Sequence, residues 1–223
     1  GVQLAWFFKQ APKRAQLEIL DSLGKVVRSF EGDTTRGGGA PAAGGGRRGG
    51  TSATFPLTPG LSRYNYDLRS TGIESFPGMI LWGAGTAGPA LPSGHFTVRL
   101  TADGKAMTAP LTIVRNPLIK EVTDADLHAQ YKFGSMVRDK TNEAQKAVIE
   151  IRRVKAQLDD RLKRAADDAA LKEKGGTLKT NASAVEENVY QVRNQSGQDP
   201  LNFPIKVNNR LAKALLAAGV PRE

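Results

Sequence analysis

The sequence predicts an α+β protein: an immunoglobulin-like antiparallel β-sandwich over residues 1–120, followed over residues 121–223 by a long helical hairpin with a short third helix. Three observations lead there. Residues 92–114 alternate about a tight turn as a hairpin does. Several shorter alternating segments precede them at the spacing of a sandwich. Beyond Thr123 the apolar residues change to steps of three and four, the period of a helix.

Taken in order, Leu4, Trp6 and Phe8 share one parity and form a strand that Ala11-Pro12 ends. Leu17 and Ile19 carry the next strand, Asp21 to Gly24 form a turn, and Lys25 to Phe30 return. Between Gly32 and Gly50 there are nine glycines, with Arg36, Arg47 and Arg48 among them and no large apolar residue. Such a segment buries too little surface to offset its ordering entropy, so residues 32–54 are expected to be a long Gly-rich surface loop. It lacks the Lys-Ser/Thr pair or the following helix of a phosphate-binding loop. Tyr64, Tyr66 and Leu68 alternate as a fourth strand, and Phe76 to Gly85 is a short strand or a tightly held loop. Phe96, Val98 and Leu100 then share one face, Asp103-Gly104 supplies two positive-φ positions, and Leu111 and Ile113 lie on the returning strand.

Thr123 is placed to cap a helix whose first turn holds Asp124 and Asp126. Leu127, Tyr131, Val137, Val148, Val154 and Leu162 fall on one stripe, which predicts a helix of about 48 residues running almost to Lys174. Gly175-Gly176 is expected to end it, and Leu178 to Val192 supply the stripe of an antiparallel return. A third helix is expected from Asp199-Pro200, with Pro204 in its first turn, to Gly219.

Composition narrows the function classes. There is no cysteine, and His95 and His128 are the only histidines, so disulfides are excluded and neither a histidine-rich metal site nor a cofactor is expected. No apolar run approaches the roughly 18 residues of a membrane span. The net charge of +10 is divided as 14 Lys and Arg against 7 Asp and Glu in residues 1–120, and 18 against 15 in residues 121–223. Because neither part gathers this charge on one element beside aromatic readers, nucleic acid is not an expected partner. An acidic-polymer binder using the glycine-arginine loop stands as a third function class, and it would be salt-sensitive. After one glycine the chain runs straight into Val2 to Phe8, with no hydrophobic signal region. It is expected to be a piece of a longer polypeptide whose localisation signal lies elsewhere.

Candidate chemistry is sparse. The adjacent pairs Asp159-Asp160 and Asp167-Asp168 are the obvious acids for hydrolysis. Asp159 with Lys163, Asp160 with Arg164, and Asp168 with Lys172 instead have the i,i+4 spacing of solvated helix faces. Asp67 and Glu74 flank a turn, where Asp67 is expected to tie down a loop. His95 on an outward strand face and His128 in a first helical turn lack a nucleophile partner legible in sequence. Trp82 is the one residue kept as a ligand or partner contact. It is either a stacking platform for a sugar or a plug in the sandwich core beside Met79.

Arg63 to Arg69, Phe76 to Trp82 and Pro92 to Leu100 resemble the C-terminal region of large bacterial proteins with a sortilin-like, BNR-repeat propeller, commonly labelled glycosyl-hydrolase-like. Asp124 to Leu127 and Gln198 to Lys206 resemble the helical tail of the same proteins. Leu17 to Arg28 and Pro92 to Leu100 are also similar to the immunoglobulin-like domain of flagellar hook-capping proteins. The resemblance implies position: a module at the C-terminus of an exported (periplasmic or extracellular) chain, whose partner is the propeller of that chain. The expected function is accordingly a non-catalytic accessory, structural or interaction module. The alternative is a carbohydrate-binding module assisting a glycoside hydrolase.

Overall fold

A computed structural model of the chain describes residues 1–33, 54–164 and 168–219. Of the loop expected over 32–54, only Gly32, Asp33 and Thr54 are described, and all three lie in strands. The strands are β1 (Val2–Phe8), β2 (Ala15–Leu20), β3 (Val26–Asp33), β4 (Thr54–Pro56), β5 (Gly60–Tyr66), β6 (Gly94–Ala102) and β7 (Lys105–Ile113). The helices are α1 (Asp124–Arg164), α2 (Ala169–Val189) and α3 (Val207–Ala218), with a 3-10 turn at Asp199–Leu201. The expected combination of strands and helices is present: two sheets of mostly antiparallel strands and, among the described residues, three α-helices.

The chain divides into two compact units, and neither is continuous in sequence. Gly1–Gly72 with Ala87–Lys132 forms one, and Ile73–Thr86 with Phe133–Glu223 forms the other. The polypeptide passes between these units at 72/73, 86/87 and 132/133.

In the first unit, β1 pairs with β5, and the larger sheet has the order β4-β3-β2-β6-β7. Every pairing is antiparallel except β3 with β4. The period-two pattern does its expected work: Leu17 sits opposite both Phe30 and Leu100, and Ile19 opposite Val98. Residues of both sheets, among them Trp6, Phe8 and Tyr66 with Leu17, Phe30 and Leu100, bury one apolar cluster. Phe55 meets Trp6 edge-on at 5.2 Å. This strand of three residues is not among those expected from the sequence. The β6–β7 turn has the expected geometry, with Asp103 at φ 45° and Gly104 at φ 82°. The Asp103 carboxylate also accepts the Arg14 N–H at 3.0 Å, tying the turn to the approach of β2.

In the second unit the segment from Ile73 to Thr86 contains no strand, so Phe76 to Gly85 is a held loop. It supplies one buried residue to each of the unit's two apolar clusters, with Leu81 and Ala84 packed against the first and Met79 against the second. Ile73 packs with Val137, Ala212 and Leu215, and Phe76 with Val148 and Tyr190.

Two helix expectations are corrected. Pro204 lies ahead of α3, whose N-cap is Lys206, so it is not in that helix's first turn. The long helix ends at Arg164, and Gly175-Gly176 lies inside α2. The start of α2 is fixed by Asp168, whose side chain accepts the Leu171 N–H at 2.9 Å. Gly175 is a point of close approach: a Cβ there would lie 2.8 Å from Leu162 Cδ2 and 3.3 Å from its Cγ. A Cβ at Gly176 meets nothing within 4 Å. The two neighbours should therefore respond oppositely to the same substitution. Gly176→Ala is expected to stabilise by about 0.5–1 kcal/mol through helix propensity. Gly175→Ala should forfeit that gain and destabilise by about 1 kcal/mol or more as Leu162 is displaced. Thermal denaturation of the two variants decides it, and equal shifts would contradict this packing.

Candidate functional site

The first unit holds an open cleft of 770 Å³ formed where β6 begins, β7 ends and α1 starts. Both histidines line it, although 33 positions of sequence separate them. His95 and Thr112 are partners in the β6–β7 register, which explains why the His95 Nδ1 lies 3.2 Å from the Thr112 Oγ1. His128 comes from the second turn of α1, beside Asp124. The Ser93 hydroxyl donates to the Asp124 carboxylate at 2.5 Å, so this serine is engaged by an acid and not by an imidazole. Arg115 completes the wall with Lys120, its Nη1 donating to the Val122 carbonyl at 2.9 Å.

The α1 end of this cleft is locked locally. Asp126 accepts from both the Thr123 N–H at 2.9 Å and the Thr123 hydroxyl at 2.6 Å, a closed cap at the helix start. These bonds hold the Asp126 carboxyl below its ordinary range.

Trp82 lies elsewhere, in the held loop of the second unit. Its N–H donates to Asn209 Oδ1 at 2.7 Å, and Asn209 Nδ2 donates back to the Trp82 carbonyl at 3.0 Å. The side chain is half-buried. The expected placement in the sandwich core beside Met79 is corrected, since Met79 packs against Phe76, Val148 and Tyr190 in the second unit.

The rest of that loop is held the same way, by side chains from each helix. Asn142 accepts the Glu74 N–H at 2.7 Å, and Arg152 donates to the Pro77 carbonyl at 3.2 Å. The Tyr190 hydroxyl accepts the Ile80 N–H at 3.1 Å and donates to the Gly78 carbonyl at 2.9 Å. Arg152 also stacks over Phe76 at 4.6 Å and bonds Glu186 at 2.7 Å, while Lys155 reaches the other oxygen of Glu186 at 3.0 Å. Glu186 is only 3% exposed. Burial alone would push its carboxyl up, but the hydrogen bonds and charges of Arg152 and Lys155 outweigh that and hold it below the ordinary range. Sequence reasoning missed this centre because polar residues on a helix read as its solvated face.

The acid pairs have structural partners. Asp159 bonds Lys179 at 2.6 Å rather than Lys163, and Asp160 pairs with Arg164 as the spacing predicts. Asp168 caps α2 instead of pairing with Lys172, and Asp167 lies outside the described residues. Asp67 accepts the Arg69 N–H at 3.2 Å, whereas Glu74 pairs with Lys146 at 3.4 Å. Among the described residues no group of three or more His, Asp or Glu side chains is arranged to hold a metal ion. No described helix is long and apolar enough to cross a membrane.

Two predictions test these ties. Glu186→Gln leaves Arg152 and Lys155 without a carboxylate and should lower stability near neutral pH by about 1–3 kcal/mol. Because the folded carboxyl titrates below its unfolded value, this contribution is present above the ordinary glutamate range and is lost as pH falls through the lowered value. The gap between the two proteins in denaturant titrations should close in acid; a gap that persists there counts against the tie. Asn209→Ala should raise hydrogen exchange at the Trp82 amide by an order of magnitude or about 1–2 kcal/mol of local protection. Unchanged exchange would show the loop is held otherwise. No family model matches the chain, and neither a curated protein nor a solved structure matches it.

Proposed function

We propose that the chain is a non-catalytic accessory module of an exported propeller protein, pairing an immunoglobulin-like β-sandwich with a helical hairpin. The sandwich reading is supported by the single apolar cluster to which both sheets contribute. The hairpin reading is supported by the order of the ties between α1 and α2: Arg152 with Glu186, Asp159 with Lys179, and Leu162 against Gly175. Their numbers converge toward the connection, as those of antiparallel neighbours do. The propeller partner and the exported location come from the resemblance of Arg63 to Arg69, Phe76 to Trp82 and Gln198 to Lys206 described above.

One observation carries the accessory reading. Tyr190 at the C-cap of α2 and Asn209 on α3 end on the backbone of the chain's own loop, and Glu186 on α2 ends on Arg152 and Lys155. Polar groups so committed build a rigid binding or spacing element, whereas a reaction centre keeps a nucleophile or acid aimed at an open position. Carbohydrate binding through Trp82 is the second reading, favoured by an indole whose backbone is fixed on both its N–H and its carbonyl. The purified chain is expected to leave a panel of aryl glycosides intact. Hydrolysis that disappears on a carboxylate-to-amide substitution would overturn the accessory reading. Saccharide binding in calorimetry that Trp82→Ala abolishes would replace it with the second.

A further inference from the structure

We propose that the two-histidine cleft of the first unit binds a small molecule bearing an oxyanion, a carboxylate or a phosphate. The first argument is charge. Several cations of the chain are paired with carboxylates, as Arg99 is with Glu18 and as Arg152 and Lys155 are with Glu186. The two cations of the cleft, both exposed, are not. Arg115 bonds only a neutral carbonyl, through one of its five donors, so its charge is held in place without being cancelled. Lys120 has no partner among the described residues. Asp124 is the single carboxylate of the lining, and one of its oxygens already takes the Ser93 hydroxyl. Concave surroundings concentrate the field of such uncompensated cations.

The second argument is size and donor chemistry. A cleft of 770 Å³ falls within the range that holds small organic ligands and exceeds what a bare ion fills. Guanidinium and ammonium groups supply charge-assisted donors to an oxyanion, and the two imidazoles add ring N–H donors. The charged groups that share the cleft lining with those imidazoles are Arg115 from the β7 end, Lys120 from the connection and Asp124 from α1.

The test uses three sugars that share a ring: glucose 6-phosphate, glucuronate and neutral glucose, each titrated at low ionic strength while the imidazole signals of His95 and His128 are followed by NMR. Both imidazoles should shift with at least one charged sugar and neither with glucose, and the charged sugar that binds more tightly identifies the preferred oxyanion. Added salt should weaken the binding. Lys120→Ala, at an exposed position, should leave the melting temperature unchanged and weaken binding about tenfold, the equivalent of one charge-assisted contact. No shift from either charged sugar up to about 10 mM, far above useful affinities, would overturn the proposal. So would an equal shift with glucose, or undiminished binding by Lys120→Ala.

Discussion

The backbone of residues 73–86 sets the terms for the second unit. A peptide segment taken from water must find partners for its N–H and C=O groups, and a strand finds them in the ladder beside it. This segment has no ladder. Its groups at Glu74, Pro77, Gly78, Ile80 and Trp82 are met one at a time by Asn142, Arg152, Tyr190 and Asn209. Each helper must itself be oriented, and the order of dependence continues outward: Arg152 is steadied by Glu186, and Glu186 by Lys155. The helices thus carry polar residues where a simple amphipathic stripe would carry leucine; on α1, Thr141 and Gln145 are buried as well, Thr141 donating to the Val137 carbonyl of its own helix and Gln145 reaching the Met79 sulfur.

The same constraint separates what was legible in the sequence from what was not. Strands that pair with near neighbours announce themselves by period-two alternation, so Leu17 to Leu20, Phe96 to Leu100 and the Asp103-Gly104 turn were readable. The cap at Thr123 was readable for a similar reason, since its partner Asp126 is three residues away. Loop 73–86 has its partners more than sixty residues downstream, and no local pattern encodes such distance. Gly175 shows the opposite error. Glycine weakens a helix by its lack of a side chain, yet the space that side chain would fill is already occupied by Leu162. Sequence supplies the propensity, and only packing supplies the neighbour. The two histidines give no local sign of being neighbours for the same reason: register across β6 and β7, with the arrival of α1, is what brings both to one cleft.

Charge is used in two distinct ways in this chain. The ties Glu18–Arg99, Glu186–Arg152 and Asp159–Lys179 fasten one element to another at 2.6 to 2.8 Å. An ion pair that is partly shielded from water is costly to break from one side, which makes such ties specific even where their net contribution is modest. Arg115 and Lys120, with carbonyl or solvent for company, are of the other kind and remain available to something from outside.

The threading of the polypeptide has a bearing on its biosynthesis. A ribosome makes residues 73–86 well before it makes the helices that hold them, so Ile73, Phe76 and Met79 emerge with nowhere to go. Strands on both sides of the excursion can pair once Ile113 is out, while the excursion itself waits for Tyr190 and Asn209, over seventy codons later. During that interval the nascent chain displays an apolar hook, the kind of sticky segment that chaperones shield. Slow translation between those points would lengthen the exposure, and a truncated product lacking α3 would leave Ile73 without Ala212 and Leu215.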